Sequence, residues 1–213
     1  MHGLKLAILI CHVPERKELL ERLLAVLAPQ SVREVGFFIR DEDHGVMSTG
    51  AKRNLLLDDA AAAGARYAAF VDDDDVVAPN YVSSILRAIQ GLPDVVGFKT
   101  RRYVDGQLTG DAIHSIRFTK SETLQYGNWT RYQRVPNHLN PVRMELAYNT
   151  RFKDITFGED HDYANRLRPL LKTESFIDEF LYDYYLIRTP KPWSPTCSKP
   201  PLTPPALMQP LTA

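Results

Sequence analysis

The sequence has no excess of charge of either sign, because its 26 Lys and Arg residues balance its 26 Asp and Glu residues. A protein whose main partner is a nucleic acid normally carries a basic excess, so the simplest argument for that class is missing. Long hydrophobic runs are also missing. The longest apolar run near the start covers residues 6–11, which is too short for a signal peptide or a membrane span. We therefore expect a soluble protein without a membrane span.

Cysteine is scarce, and several common catalytic motifs are absent. The two cysteines, Cys11 and Cys197, lie far apart and lack metal-ligand spacing. A disulfide framework is therefore not indicated, and we expect a cytoplasmic protein. Together with the compact size of the chain, this expectation fits a bacterial cell or a phage-infected host. The sequence contains no G-x-S-x-G, P-loop or G-x-G-x-x-G motif, which disfavours α/β-hydrolases, P-loop kinases and dinucleotide-binding enzymes.

Proline is concentrated at the end of the chain, where residues 190–213 hold eight of the 15 prolines. Proline lacks an amide donor and fixes φ, so this segment is not suited to a helix or a central strand. We predict a folded domain over residues 1–188 and an extended proline-rich tail over residues 189–213. The tail is a candidate docking segment for a protein partner.

Apolar runs with strand character alternate with amphipathic segments along the first hundred residues. Strands are predicted at residues 4–11, 35–39, 67–71 and 95–99, and helices follow the first three of them. This alternation is typical of a parallel sheet covered on both faces. We predict an α/β fold, a single Rossmann-like domain with a mostly parallel central sheet flanked by helices.

Acidic residues follow two of these strands, at positions 41–43 and 72–75. Ligands of parallel α/β sheets bind beyond the carboxyl ends of the strands, so both clusters are expected on one rim. Four adjacent aspartates repel one another unless a counter-charge is present. They suit a hard cation such as Mg²⁺ or Mn²⁺, and the alternatives are a solvated turn or a helix N-terminus decorated with acids.

Residues 101–150 show a weaker pattern, with strands and loops favoured over helices and a hairpin turn at residues 103–107. The segment 136–143, PNHLNPVR, contains amides and a histidine that could form hydrogen bonds with an acceptor. The alternative is an ordered connection without a binding role. Further on, Glu159, Asp160 and Asp162 open a predicted helix, and their plainest role is to stabilise its N-terminus. Gly158, directly before them, suggests a close approach to a ligand.

Four motifs occur in the order seen in family 2 glycosyltransferases of the GT-A fold, which this sequence resembles. They are AKRN at residues 51–54, AFVDDDD at 69–75, the pair Pro79 and Tyr81, and FGED at 157–160. The resemblance implies metal-dependent, inverting transfer of a sugar from a nucleotide-diphospho-sugar. The donor is expected to be UDP-linked, and the cofactor Mn²⁺ or Mg²⁺. Residues 1–100 would bind the nucleotide-sugar, and residues 101–188 the acceptor.

The resemblance also implies roles on the donor side. Asp74 would bind the metal directly, and Asp72 would contact the ribose or a metal-bound water. The nucleotide-binding residues would be Asp41, Arg53, Asn54, Asp72 and Asp73. For Arg53, the alternative is a solvated charge on the surface of a helix. The sequence departs from the family at Cys11-His12-Val13-Pro14, and it offers Asp183 where some members carry a late histidine that completes the metal site.

On the acceptor side, the resemblance makes Asp160 the catalytic base that removes the proton from the attacking hydroxyl. Glu159, His138 and Asp75 would bind the acceptor or support the residues that do. The expected acceptor is a saccharide or another hydroxyl compound, with a modified DNA base as a further possibility. Two other function classes stay open: a nucleotidyltransferase on a related sheet, and a non-catalytic module that binds a nucleotide or a protein.

Overall fold

The computed structural model describes residues 3–41 and 46–187, which contain ten strands and five α-helices. The strands are β1 (Leu6–His12), β2 (Val35–Asp41), β3 (Tyr67–Phe70), β4 (Val76–Val77), β5 (Val95–Val104), β6 (Gln107–His114), β7 (Glu122–Tyr126), β8 (Trp129–Arg134), β9 (Val142–Arg143) and β10 (Glu174–Leu186). The helices are α1 (Lys17–Leu27), α2 (Thr49–Ala62), α3 (Tyr81–Ala88), α4 (Met144–Thr150) and α5 (Glu159–Leu167).

All ten strands belong to one sheet, whose main path runs β2-β1-β3-β9-β5-β6-β8-β7. Strand β1 pairs in parallel with β2 and β3, as the strand–helix alternation predicts. Parallel pairing also joins β5 to β10 and β6 to β8, whereas the short β9 runs antiparallel between β3 and β5. The predicted α/β class with a mostly parallel sheet and flanking helices is confirmed.

The alternation of side chains along β1 explains why helices cover both faces of the sheet. Leu6, Ile8 and Ile10 belong to one buried cluster, together with Leu23 of α1 and Ile85 of α3. Their neighbours on β1, Ala7 and Leu9, belong to a second cluster with side chains from α2, α4 and α5. Successive residues of a strand point to opposite faces, so one continuous apolar run supplies both cores.

One alternative interpretation of the acidic run is wrong. Strand β4 lies between Asp75 and α3, and α3 begins only at Tyr81. The four aspartates therefore do not decorate a helix N-terminus. They occupy the connection from β3 to β4, at the carboxyl end of a central strand, where ligands of such sheets bind.

The second half of the chain is mainly strands, as expected, and the predicted hairpin lies at Asp105 and Gly106. Both residues have positive φ, 50° and 80°, which is the geometry of a two-residue hairpin turn and suits glycine at the second position. Three elements are additional to the sequence prediction: the short strand β4, the short helix α4, and the long strand β10, which pairs with β4 and β5.

Within residues 3–41 and 46–187, no helix has the length and apolar character needed to cross a membrane. Two predicted features lie outside the described residues: positions 42 and 43 of the first acidic cluster, and the proline-rich tail. The domain boundary at residue 188 stays a prediction.

Candidate functional site

Two adjoining cavities lie at the carboxyl ends of the parallel strands. Cavity A, of about 630 Å³, is lined by Asp72, Asp73 and Asp74. Cavity B, of about 530 Å³, is lined by Asp160. The acidic run and the FGED motif, although distant in sequence, therefore face one continuous cleft. The two cavities share seven lining residues: Arg53, Asp72, Thr156, Phe157, Glu159, Tyr184 and Leu186.

The first two aspartates of the run are each held by two cationic or potentially cationic side chains. Asp72 lies 3.1 Å from Nη2 of Arg53 and 3.3 Å from Nε2 of His138. Asp73 lies 2.9 Å from Nδ1 of His12 and 2.9 Å from Nη1 of Arg16. Burial alone would raise the pKa of Asp72, but the charges of His138 and Arg53 outweigh it and lower that pKa. Asp72 is therefore ionised at neutral pH.

The other two aspartates differ in their exposure. Asp74 lies 3.3 Å from Nη1 of Arg16, and 29% of its side chain is exposed. Asp75 is buried, where it accepts hydrogen bonds from the hydroxyl of Tyr182 and the backbone N–H of Tyr185. Burial raises the pKa of Asp75, and the charges of Asp72 and Asp74 raise it further. The Tyr182 hydroxyl also accepts a hydrogen bond from the backbone N–H of Asp72. Tyr182 therefore connects the buried Asp75 to the backbone of the acidic run.

Arg53 connects the two acidic motifs. Its guanidinium lies 3.1 Å from Asp72 and 3.0 Å from Oε1 of Glu159. The same group lies over the rings of Phe70 and Phe152, at 5.6 and 5.4 Å from their centroids. Only 5% of Arg53 is exposed, so the alternative of a solvated helix charge is wrong.

Asp160 and Glu159 lie at the start of α5 and face different surroundings. Glu159 is buried beside Arg53, and burial raises its pKa while Arg53 lowers it. Asp160 is half-buried and lines cavity B. Gly158 caps the helix with φ of +81°, and a Cβ atom there would meet nothing within 4 Å. The positive φ by itself favours glycine here, and the close approach to a ligand stays a prediction.

The segment 136–143 is both a lining segment and an ordered connection. Asn137 and His138 line cavity B, and the backbone carbonyl of His138 accepts a hydrogen bond from the N–H of Phe70. Asn140 is fully buried, where its amide donates to the carbonyl of Val96. The two interpretations of this segment are therefore compatible.

Two residues with predicted nucleotide contacts lie away from the described cavity linings. Asp41 is exposed at the end of β2, next to His12 on β1. Asn54 donates to the carbonyl of Phe152 at 2.9 Å and accepts from its N–H at 2.8 Å, which fastens α2 to the segment before α5. The nucleotide-binding roles of Asp41 and Asn54 stay predictions. Asp183, the candidate late metal ligand, binds Arg101 through two hydrogen bonds.

The carboxylates can be compared with what a hard cation requires. In the part of the chain that the structure describes, no three His, Cys, Asp or Glu side chains form a ready-made metal site. Asp72 and Asp74 both line cavity A, and 29% of each side chain is exposed. Mg²⁺ is usually bound by one or two carboxylates together with substrate phosphates. These two oxygen donors fit a cation whose remaining ligands come from a substrate.

Cys11 also lines cavity A, but its environment makes the thiol unreactive. Burial raises its pKa to about 12, although the charge of Arg53 opposes this change. Only the thiolate is a strong nucleophile, and almost none of it is present at neutral pH. Covalent chemistry through Cys11 is therefore disfavoured.

His114 predicts a pH dependence of stability. Burial, with a smaller contribution from the charges of Arg134 and His138, lowers its pKa from 6.5 to about 4 against the hydrogen bond with Asn140. Between pH 6.5 and pH 4 only the unfolded state takes up this proton, so acidification lowers the free energy of unfolding. We expect a loss of about 3 kcal/mol across this window, measured by urea unfolding.

The matched variant for this prediction is His114→Asn, whose amide can occupy the place of the ring Nδ1 that lies 3.2 Å from Oδ1 of Asn140. The variant lacks the titrating group, so its free energy of unfolding should change less over the same window. Equal slopes for the two proteins would show that His114 does not cause the pH dependence.

Several residues of the cleft are absent from the sequence prediction. Arg16 binds the acidic run, and Arg102, Tyr132 and Arg134 line cavity B. The last three lie on β5 and β8, in the region of weak sequence pattern. Their position on one face depends on strand register, which a single sequence does not reveal.

Comparisons with known proteins agree with this geometry at the level of fold. No family model matches the sequence, and no curated protein matches it. Residues 1–349 of S. aureus TarS match with a TM-score of 0.63 and 15% identity, over 85% of this chain and 60% of that chain. The same protein in complex with UDP-GlcNAc matches with a TM-score of 0.63 and 14% identity, over 85% of this chain and 58% of that chain.

A further S. aureus TarS structure has a TM-score of 0.61 and 12% identity, over 86% of this chain and 37% of that chain. This chain therefore spans about 60% or less of the TarS chains that it matches. This chain has a GT-A-like fold. At these identities the likeness establishes the fold, and the activity has to be argued from the cleft.

Proposed function

We propose that this protein is an inverting glycosyltransferase that moves a sugar from a nucleotide-diphospho-sugar to an acceptor hydroxyl. The observation that carries the proposal is the shared wall of the two cavities, which places Asp72 and Asp74 in the same cleft as Asp160. The TarS complex with UDP-GlcNAc, on a similar fold, supports a UDP-linked donor.

Cavity A is the proposed donor site. Arg16 and the first turn of α2, with Thr49 and Lys52, supply cationic and hydrogen-bonding groups for a diphosphate. Asp74 and Asp72 would hold Mn²⁺ or Mg²⁺, which when bound neutralises charge on the diphosphate leaving group. Asp73, fixed by His12 and Arg16, would position Arg16 beside the nucleotide.

Cavity B is the proposed acceptor site, and Asp160 the proposed base. Asp160 would accept the proton of the attacking hydroxyl while the bond between the sugar and the diphosphate breaks. Glu159 is a poorer candidate because it is buried against Arg53. His138 would help to hold the acceptor, since it lines the same cavity and contacts Asp72.

Asp74→Asn tests the metal assignment. We expect a loss of about tenfold in Mn²⁺-dependent UDP binding, because a neutral amide replaces one of the two proposed carboxylate ligands. Calorimetry with UDP, with and without Mn²⁺, measures the effect. Asp178→Asn, which changes an exposed carboxylate beside Lys99, is the control.

Chelation of the metal from the wild-type protein should reproduce the behaviour of Asp74→Asn. Equal UDP affinity with and without Mn²⁺ would contradict metal dependence but leave the transferase proposal standing. Incubation with UDP-sugar and acceptor should release UDP, whereas release of pyrophosphate in a reaction with nucleoside triphosphate would identify a nucleotidyltransferase instead.

Other parts of the sequence prediction remain proposals. A cytoplasmic location is supported by Cys11, which is a free thiol in the structure. Two further proposals rest on the sequence alone: that the acceptor is a saccharide or another hydroxyl compound, and that the tail binds a protein partner.

A further inference from the structure

One face of the sheet forms the floor of cavity B. The alternation of side chains along β5, β6 and β8 directs six residues into it: Thr100, Arg102, Ala112, His114, Tyr132 and Arg134. Two of the six are arginines. Their charges face the same space as the carboxylate of Asp160.

Arginines that lie elsewhere on these strands are neutralised by aspartates. Arg101 contacts Asp183 at 2.6 Å, and Arg131 contacts Asp111 at 2.7 Å. Among the residues that the structure describes, neither Arg102 nor Arg134 has a carboxylate within ion-pair distance. The strands therefore carry both paired arginines and two arginines that line the cavity without an acidic partner.

Both cavity arginines contact the ring of Tyr132. The guanidinium carbon of Arg134 lies 4.7 Å from the centroid of the Tyr132 ring, and that of Arg102 lies 5.5 Å from it. Arg102 also donates to the hydroxyl of Thr109 at 3.1 Å. Burial lowers the pKa of Arg134, Tyr132 and Asp160 oppose this change, and the charge of Arg102 adds to it. Guanidinium groups repel one another, so an anion in the cavity would relieve this repulsion.

We infer that Arg102 and Arg134 form a subsite for a phosphate group carried by the acceptor. Planar guanidinium groups bind phosphate through paired hydrogen bonds. The inference rests on the proposed function, because it places the phosphate in the cavity that contains Asp160. The acceptor class is then a phosphorylated hydroxyl compound, rather than a neutral saccharide.

The test is calorimetric titration with inorganic phosphate, sn-glycerol 3-phosphate and glycerol at constant ionic strength. Wild-type protein should bind the two phosphate compounds and not glycerol. Arg134→Gln should weaken phosphate binding about tenfold, and the double variant R102Q/R134Q should weaken it further. Lys99→Gln removes a charge from β5 that pairs with Asp178 outside the cavity, so its phosphate affinity should equal that of the wild type.

Titration of the same variants with UDP separates this inference from the proposed function. Arg16→Gln provides a second comparison, because phosphate held in cavity A would depend on Arg16. Unchanged phosphate binding by R102Q/R134Q would overturn the inference, whatever the UDP result. A third outcome is that wild-type protein does not bind UDP but its phosphate binding still depends on the two arginines. That outcome would overturn the proposed function alone. If the double variant does not fold, Arg134→Lys takes its place, because it keeps the charge but loses the paired hydrogen bonds. Its phosphate binding should be weaker than that of the wild type, and unchanged binding would overturn the inference.

Discussion

Asp160→Asn should lower the rate of sugar transfer by about 10²–10⁴-fold, the usual contribution of a positioned general base. The amide has nearly the shape of the carboxylate but does not accept the acceptor's proton. Donor binding should stay unchanged, because Asp160 lines cavity B and not cavity A. Turnover of a UDP-sugar and calorimetric binding of UDP, measured on the same preparation, check the two parts of this expectation.

Asp162→Asn is the matched control. Asp162 lies in the same first turn of α5, but it pairs with Lys153 and Arg166 and is not a lining residue of cavity B. If Asp160 only stabilised the start of the helix, the two variants would behave alike. Wild-type turnover by Asp160→Asn would exclude Asp160 as the base.

The first half of the fold could be predicted because its sequence repeats one simple pattern. Buried strands such as residues 4–11 and 67–71 are apolar runs, and proline, glycine and acidic residues mark where they end. The predicted strands at 35–39 and 95–99 are longer in the structure, because pairing with neighbours extends them into polar residues.

Strand β10 shows the limit of this approach. Its residues mix aromatic, acidic and aliphatic side chains, and its register shifts near Phe180, so no clean alternation is visible. The sequence offers Asp183 as a possible metal ligand, but pairing with β5 brings it to Arg101. Long-range pairing, which local sequence does not encode, therefore determines the surroundings of this residue.

The acidic run could be recognised from sequence, but the charges that balance it could not. His12 lies at the end of β1, Arg16 lies in the segment before α1, and Arg53 lies on α2. Their convergence depends on the order of the strands in the sheet. The same holds for Arg102 and Arg134, whose shared face follows from the pairing of β5, β6 and β8.

Arg53→Met should lower the free energy of unfolding by about 3–5 kcal/mol, the range for breaking a buried ion pair by removal of one partner. Methionine keeps apolar contact with Phe70 and Phe152, but it leaves Asp72 and Glu159 without the charge between them. The pKa of Asp72 should rise, because Arg53 is one of the charges that lower it. Urea unfolding at neutral pH measures the change in stability.

The double variant R53M/E159Q provides the internal control for this prediction. If the loss arises from unpaired acids, replacing Glu159 by a neutral amide should recover part of the stability, and Arg53→Lys should lose less than Arg53→Met because it keeps a charge. A loss below about 1 kcal/mol for Arg53→Met would match an exposed ion pair instead. It would contradict the role of Arg53 as the buried link between the two walls of the cleft.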